Sequence, residues 1–476
     1  MCAARRACTQ TLEPIRRASL YTEKVSFPLG ARRALLVALA VLGLAMPVHA
    51  ADWFVTPGGV GTGSGSFPFG RIQDALNAAR AGDVIIVAPG TYAETLSTVR
   101  SGAAGAPITL RAAQPREAVV TRAGRVLSVG HAYFVVDGLV LDGQYGADDA
   151  VRVTSSGNFL ELRNTEVRRS SRDLIDMASP EGVVIEGCLI HHALNPVNGR
   201  SDAHGVVAGA VHNLTIRDTE IHTFSGDGFQ VDAGRSAPGW DNVTVERSKI
   251  WLEPLPAPEN GFAAGVPPGE NAIDTKAAAT NIRSRLIVRD TIASGFRNGL
   301  ISNMAAFNLK EYVDATIDGV TVFDSEIAFR LRGPATTGAH VMVKNAVVHD
   351  VLTAFRYEDD IQDLRIWNST IGLNVTRVFQ AAAAPDASLD VRNLLTVQAL
   401  PAALRAPSNL VVAATAFVDA AAHDYHLAAG APAADAGEPL AGVTIDRDGV
   451  ERPQGSAYDV GAYEAAGAEA RVRRRR

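Results

Sequence analysis

The sequence predicts an all-β chain wound as a parallel β-helix, a solenoid with one capping helix near its N-terminal end. Three observations predict it. Short, alternating, β-branched strands recur as Phe134-Val-Val136, Val183-Val-Ile185, Leu214-Thr-Ile216, Val243-Thr-Val245, Leu286-Ile-Val288, Val341-Met-Val343, Leu364-Arg-Ile366 and Leu389-Asp-Val391. Their spacing, roughly 23 to 31 residues with one longer gap, is that of a repeat array. The composition, with 43 Gly, 20% charged and 6% aromatic residues, fits many short strands and tight turns rather than a helical bundle.

Taken in order, residues 32–50 begin with two arginines, continue as an apolar run too short to span a bilayer comfortably, and end in Val48-His49-Ala50. That is the pattern of a secretory signal cleaved after Ala50. The thirty residues before it are long for such a leader, and suggest a true start further downstream. Residues 1–50 carry seven Lys/Arg and two Asp/Glu, so their removal takes the formal charge from −6 to −11. So acidic a chain argues against general nucleic-acid binding. Cleavage also leaves Cys188 as the sole cysteine, so no internal disulfide or cysteine metal site is available. The expected product is secreted or periplasmic, has no membrane span once the signal is gone, and acts as a monomer.

Residues 51–464 read as one β-helix domain. Its N-terminal cap covers 51–106, where Arg71 to Arg80 has apolar residues at helical spacing with Gly82 as a C-cap. The coils cover 107–407. A turn-rich C-terminal end covers 408–464, and a disordered basic tail covers 465–476. Each coil pairs a strand with a polar turn rich in Asn, Asp and Gly, residues that tolerate turn backbone conformations. The long gap, between Val245 and Leu286, holds a Pro/Gly-rich insertion that leaves the coil as a loop. Trp240, Trp251 and Phe262 near it could stack on sugar rings or pack the loop. His191, His192, His222 and His349 fall in turns; they suit turn packing better than a zinc site.

The insertion returns into Gly-Glu-Asn-Ala-Ile-Asp-Thr-Lys at 269–276, the most polar stretch at a strand position. The second strand of each coil aligns on Gly205, Gly228, Ala272, Gly299, Ala328 and Ala354. Side chains alternate along a strand, so one outward row reads Val207, Gln230, Asp274, Ile301, Arg330 and Arg356. The next outward row reads Gly209, Asp232, Lys276, Asn303, Arg332 and Glu358. His204, Asp227, Asn271 and Asn298 stand just before the strand, with Glu270 one step earlier. Neighbouring coils lie about 4.8 Å apart, so Asp227, Asp232, Glu270, Asn271 and Asp274 should gather near Lys276, with Arg330 and Arg332 two coils away. Acids plus an amide suit a hard cation such as Ca²⁺. A lysine beside a cation loses its proton more readily. The same rows could also be an ordinary solvated face.

Phe54-Val-Thr-Pro57, Ile72-Gln73, Gly82-Asp83, Pro89-Gly-Thr-Tyr92, Ser101-Gly102 and Ala106-Pro-Ile108 resemble the start of secreted right-handed parallel β-helix proteins of the pectate-lyase-like superfamily. Asp459-Val-Gly-Ala-Tyr-Glu464 is similar to their ending. The Glu270 to Lys276 segment looks most like the calcium-dependent polysaccharide lyases of that group. The resemblance implies Glu270, Asn271 and Asp274 as calcium ligands, Lys276 as the base and an arginine, Arg297, Arg330 or Arg332, as its helper. The implied substrate is an acidic, uronate-containing polysaccharide cleaved by β-elimination. A noncatalytic carbohydrate-binding or cell-surface role, and a hydrolase or epimerase using Asp227, Asp232 and Asp274, stand as alternatives on the same fold.

Overall fold

The structure is a computed structural model that describes residues 50–196, 202–232, 239–276, 283–299, 301–332, 338–357, 361, 363–381, 389–405 and 407–465. The signal-like segment up to residue 49 and the basic tail from residue 466 lie outside the described residues.

Among the described residues, three parallel sheets of 13, 11 and 13 strands run from Asp52 to Val411. In each, a strand pairs with the equivalent strands of the coils before and after it, as when Leu214, Thr215 and Ile216 meet Val243, Thr244 and Val245. The chain visits the first sheet, then the 13-stranded third sheet, then the 11-stranded second sheet, and moves on one coil. This is the predicted right-handed parallel β-helix, and the hand is the one that twisted strands favour for parallel crossovers.

The recurring sequence pattern has a local cause. Between the first and third sheets one residue per coil takes a left-handed conformation: Gly138, Asn164, Gly187, Asp218, Arg247, Asp290, Gly319, Asn345, Asn368 and Asn393. Gly, Asn and Asp tolerate that region best. The residue after it often carries a hydroxyl that donates back over the corner, as Thr165 Oγ1 does to Arg163 O at 2.8 Å and Thr291 Oγ1 to Arg289 O at 2.7 Å. Cys188 takes the same place, its thiol donating to Leu162 O at 3.3 Å. Burial pushes that thiol up to about 12, which keeps it unreactive.

Inside, each strand contributes alternate residues to one continuous core. Ser284–Arg289 buries Leu286 and Val288 and exposes Arg285 and Arg289. Along the second sheet Phe307, Phe329, Phe355 and Phe379 stack with centroid spacings of 5.2, 5.0 and 5.5 Å. Each such pair adds about 0.5–1.5 kcal/mol beyond its buried area.

The capping helix spans Ile72–Ala78 and buries Ile72, Ala75 and Leu76. Its first amides donate to the Glu94 carboxylate, Ile72 N at 2.8 Å and Gln73 N at 3.2 Å. It ends at Ala78, short of the expected Gly82. At the other end, the antiparallel pair Phe417–Asp419 and Asp424–Leu427 lies beside a second core cluster around Tyr425 and Val460. There Arg452 and Glu464 form an ion pair of 2.7 Å with both side chains fully buried. No helix among the described residues is long and apolar enough to cross a membrane.

Candidate active site

The polar stretch at 269–276 forms the short strand Ile273–Thr275 of the second sheet. Gln230 pairs with Asp274, Asp274 with Asn308, Asn308 with Arg330 and Arg330 with Arg356. Ile273 and Thr275 are buried inward, as their alternation requires.

One coil differs from the sequence alignment. Ile301 and Asn303 were expected in the outward rows, but the strand of that coil is Ala305–Leu309. Asn308 takes the row position beside Asp274. Lys310 follows the strand as Lys276 and Arg332 follow theirs; its amide donates to Thr275 Oγ1 at 2.8 Å. The cause is the core. Phe307 supplies the aromatic that stacks on Phe329, and Ala306 fills the small position; the strand before it ends at Ser294. Lys310 was therefore missed, although Phe307-Asn-Leu309 repeats Phe329-Arg-Leu331.

Asp274 is the centre of the site. Its Oδ2 accepts from both lysines, with Lys276 Nζ at 2.6 Å and Lys310 Nζ at 2.9 Å. Its Oδ1 accepts from Asn308 Nδ2 at 2.9 Å. The carboxylate is 2% exposed, whereas the Lys276 and Lys310 side chains are 37% and 16% exposed. A buried acid thus holds two cations against the surface. Burial opposes the charge of Lys276, but Asp274 and Asp227 outweigh it and raise its pKa.

One coil earlier lies a second group. Asp227 Oδ1 accepts from Asn271 N at 3.2 Å and Asn271 Nδ2 at 2.8 Å. Its Oδ2 stands 3.7 Å from His204 Nε2, while His204 Nδ1 meets Asp173 Oδ1 at 2.8 Å. Burial, followed by the charge of Asp274, pushes Asp227 up to about 7. Burial and then Asp202 raise Glu270, with Lys276 and His204 pulling the other way. His204 is raised in turn, burial lowering it and Asp173 outweighing that. His204 stands in the row expected to precede the strand, but was given no role in the site, and Asp173 was not placed there by the sequence.

Asp227, Glu270, Asn271 and Asp274 interact with one another, but they are not equally available. Asn271 is spent within the fold, its amide nitrogen on Asp227 and its oxygen accepting from Ala305 N at 3.0 Å. Asp274 is held by two ammonium groups and an amide. Burial first, and neighbouring acids next, raise the pKa values of Asp227 and Glu270, so an added cation would favour their charged forms. Asp232 follows its strand one coil before Lys276, its amide bonded to Ala208 O at 2.8 Å. The fit to calcium is therefore confined to Asp227 and Glu270. Among the described residues, the trios of His, Asp or Glu with ligand atoms within 4.8 Å of one another are Asp149, Asp173 and Asp176, which shares Asp173 with the His204 group, and His349, Asp350 and His423.

Of the arginines, Arg330 lies in the Asp274 row two coils on, and Arg332 follows it with its amide bonded to Leu309 O at 2.8 Å. Arg297 instead pairs with Asp324 at 3.0 Å.

The insertion packs back over earlier coils. Glu259 meets the Tyr145 hydroxyl and lies 3.4 Å from His192 Nε2, and Asn260 Nδ2 donates to Leu194 O at 2.6 Å. His191, His222 and Trp251 stack beside it at 5.0 and 4.6 Å. Trp240 is buried and serves packing.

No protein-family model matches the chain, and no curated protein does. Among solved structures, a rhamnogalacturonan lyase aligns over 89% of this chain and 98% of its own, with a TM-score of 0.54 and 13% identity. The pectate lyase Pel9A aligns over 87% and 96%, with a TM-score of 0.47 and 16% identity. An alginate lyase from Paenibacillus sp. str. FPU-7 aligns over 72% and 99%, with a TM-score of 0.42 and 18% identity. At these identities the likeness is one of fold.

Proposed function

We propose, from the premise that this chain is a pectate-lyase-like parallel β-helix, that it is an exported polysaccharide lyase cleaving a uronate polymer by β-elimination. The observation that carries the reading is the convergence of Lys276 and Lys310 on one buried carboxylate, Asp274.

β-Elimination on a uronate asks for two things of a protein. Positive charge must face the carboxylate, because charge builds there as the C5 proton leaves. A base must take that proton. Lys276, the more exposed lysine, is the base; Lys310 faces the substrate carboxylate. Asp274 positions both, and Asn308 fixes Asp274. Arg330 and Arg332, further along the rows, hold the developing anion or a neighbouring uronate. A hard cation would be held by Asp227 and Glu270 and would add positive charge there; the steps above are assigned to the side chains alone. The ammonium groups give an acidic protein a local surface for an acidic polymer.

The test is incubation with pectate, alginate and chondroitin, followed by ultraviolet detection of unsaturated uronate ends. Wild type should produce them from one of the three, and Lys276→Ala should not, while still binding the polymer. No unsaturated product from any of them overturns the lyase reading. One observation favours a second reading, noncatalytic binding of the same polymers: Asp274 and Asp227 both favour the protonated form of Lys276. Binding by wild type without any product would select it. Export is checked by N-terminal sequencing of the mature protein, which should begin at Ala51.

A further inference from the structure

A second cluster lies away from the lysine site, where the C-terminal segment meets the coils. His349 and Asp350 follow the strand Val347–Val348 at the corner leading into Val351–Tyr357. His423 comes from the C-terminal segment, in a left-handed conformation (φ 61°) at the end of the 3₁₀ turn Ala420–Ala422. Both rings turn a nitrogen to the same oxygen: His349 Nδ1 is 2.7 Å and His423 Nδ1 3.6 Å from Asp350 Oδ2. All three ligand atoms lie within 4.8 Å of one another.

We propose that His349, Asp350 and His423 form a binding site for a borderline divalent transition-metal ion such as Zn²⁺, which clamps the C-terminal segment to the coils. Two imidazoles and a carboxylate are the donor set for such an ion, whereas Ca²⁺ takes oxygen ligands. The supporting contacts are those that ligands need. Asn374 Nδ2 donates to the other Asp350 oxygen at 2.5 Å, and Phe323 stacks on the His349 ring at 5.2 Å. Burial lowers the pKa of His349 and favours the neutral ring that binds metal. The His349 and His423 planes lie 16° apart with centroids 4.1 Å apart. Joint coordination therefore requires His423, the exposed member, to turn about its side-chain bonds. Three protein ligands leave a position for water.

The experiment titrates zinc chloride into chelator-stripped full-length protein by calorimetry, with thermal melting in parallel and Co²⁺ as a spectroscopic probe. Wild type should bind one ion per chain at this site, gain Tm as zinc binds, and give visible Co²⁺ absorption of a nitrogen-ligated ion. His423→Ala alters an exposed side chain and should fold; it should weaken zinc binding at least tenfold and lose the Co²⁺ spectrum. Asp350→Asn should do the same. The proposal is overturned if wild type shows no saturable zinc binding, or if both variants bind like wild type. Binding that survives in His423→Ala but is lost in His191→Ala/His192→Ala also overturns it.

Discussion

Two buried carboxylates of this protein hold cations, and they do so in opposite ways. Glu464 and Arg452 are both sealed from solvent, and Arg452 spends its remaining donors on Gly461 O at 3.0 Å, Asp459 O at 3.3 Å and Asn345 Oδ1 at 3.3 Å. Asp274 is just as buried, but its lysines reach the surface and share one of its oxygens. The first arrangement has every charge answered inside the fold, and it locks the C-terminal segment. The second presents ammonium groups outward and leaves them able to answer another anion. Exposure of the cation, more than burial of the acid, separates a lock from a site.

The largest expected effect breaks the lock. Arg452→Met leaves Glu464 charged and buried, and should cost about 3–5 kcal/mol of unfolding free energy, measured by urea denaturation. The elimination rate per folded molecule should not change. An equal loss of rate per folded molecule would erase the distinction between the two regions.

Next comes pH. Asp274 and Asp227 raise the pKa of Lys276, so Lys276 is protonated at neutral pH and gains base character only as pH rises. The elimination rate should therefore climb about tenfold per pH unit below that pKa. A flat profile from neutral to alkaline pH would remove Lys276 from the role of base.

Asp227 gives a smaller, signed effect on stability. Burial, and then the charge of Asp274, push its pKa up to about 7 in the fold, against about 3.9 for an aspartate in water. The folded state thus binds more protons between those values. Its contribution to stability is fully present below pH 4 and is lost as pH rises through about 7. Asp227→Asn should flatten that fall, giving a higher Tm than wild type at pH 8 and little change at pH 4. The smallest effect should be that of Lys310→Met on stability, because Lys276 Nζ stays 2.6 Å from the same buried Asp274 oxygen; the urea midpoint should fall by less than in Arg452→Met.

Much of this was legible in the chain. The corner residues Asn164, Asn345 and Asn368 announced their turns because a left-handed backbone selects for Asn, Asp and Gly. The sides of Ile273, Asp274, Thr275 and Lys276 followed from strand alternation. Lys310 was hidden because Gly299 imitates the small residue that opens each strand, while the true strand starts later, at Ala305. Sequence spacing cannot show which small residue meets the core; the stack of Phe307 on Phe329 does. Nor could sequence show that Asn271 and Asp274 spend their oxygens on Ala305, Asn308 and two lysines. All of these but the Lys276 contact join residues about one coil apart, and alignment by eye fixes the rows without fixing where side chains turn. The ties from Glu259 to Tyr145 and His192 were equally hidden, since nothing local tells a loop which way to fold back.

The most direct measurement compares wild type with Lys276→Ala on pectate, alginate and chondroitin, recording unsaturated product and polymer binding in the same samples. The account predicts unsaturated ends from wild type on one polymer. It predicts a rate lower by roughly 10²–10⁴ in Lys276→Ala, with binding retained. Full elimination activity in Lys276→Ala, or cleavage by wild type without a new double bond, would contradict it.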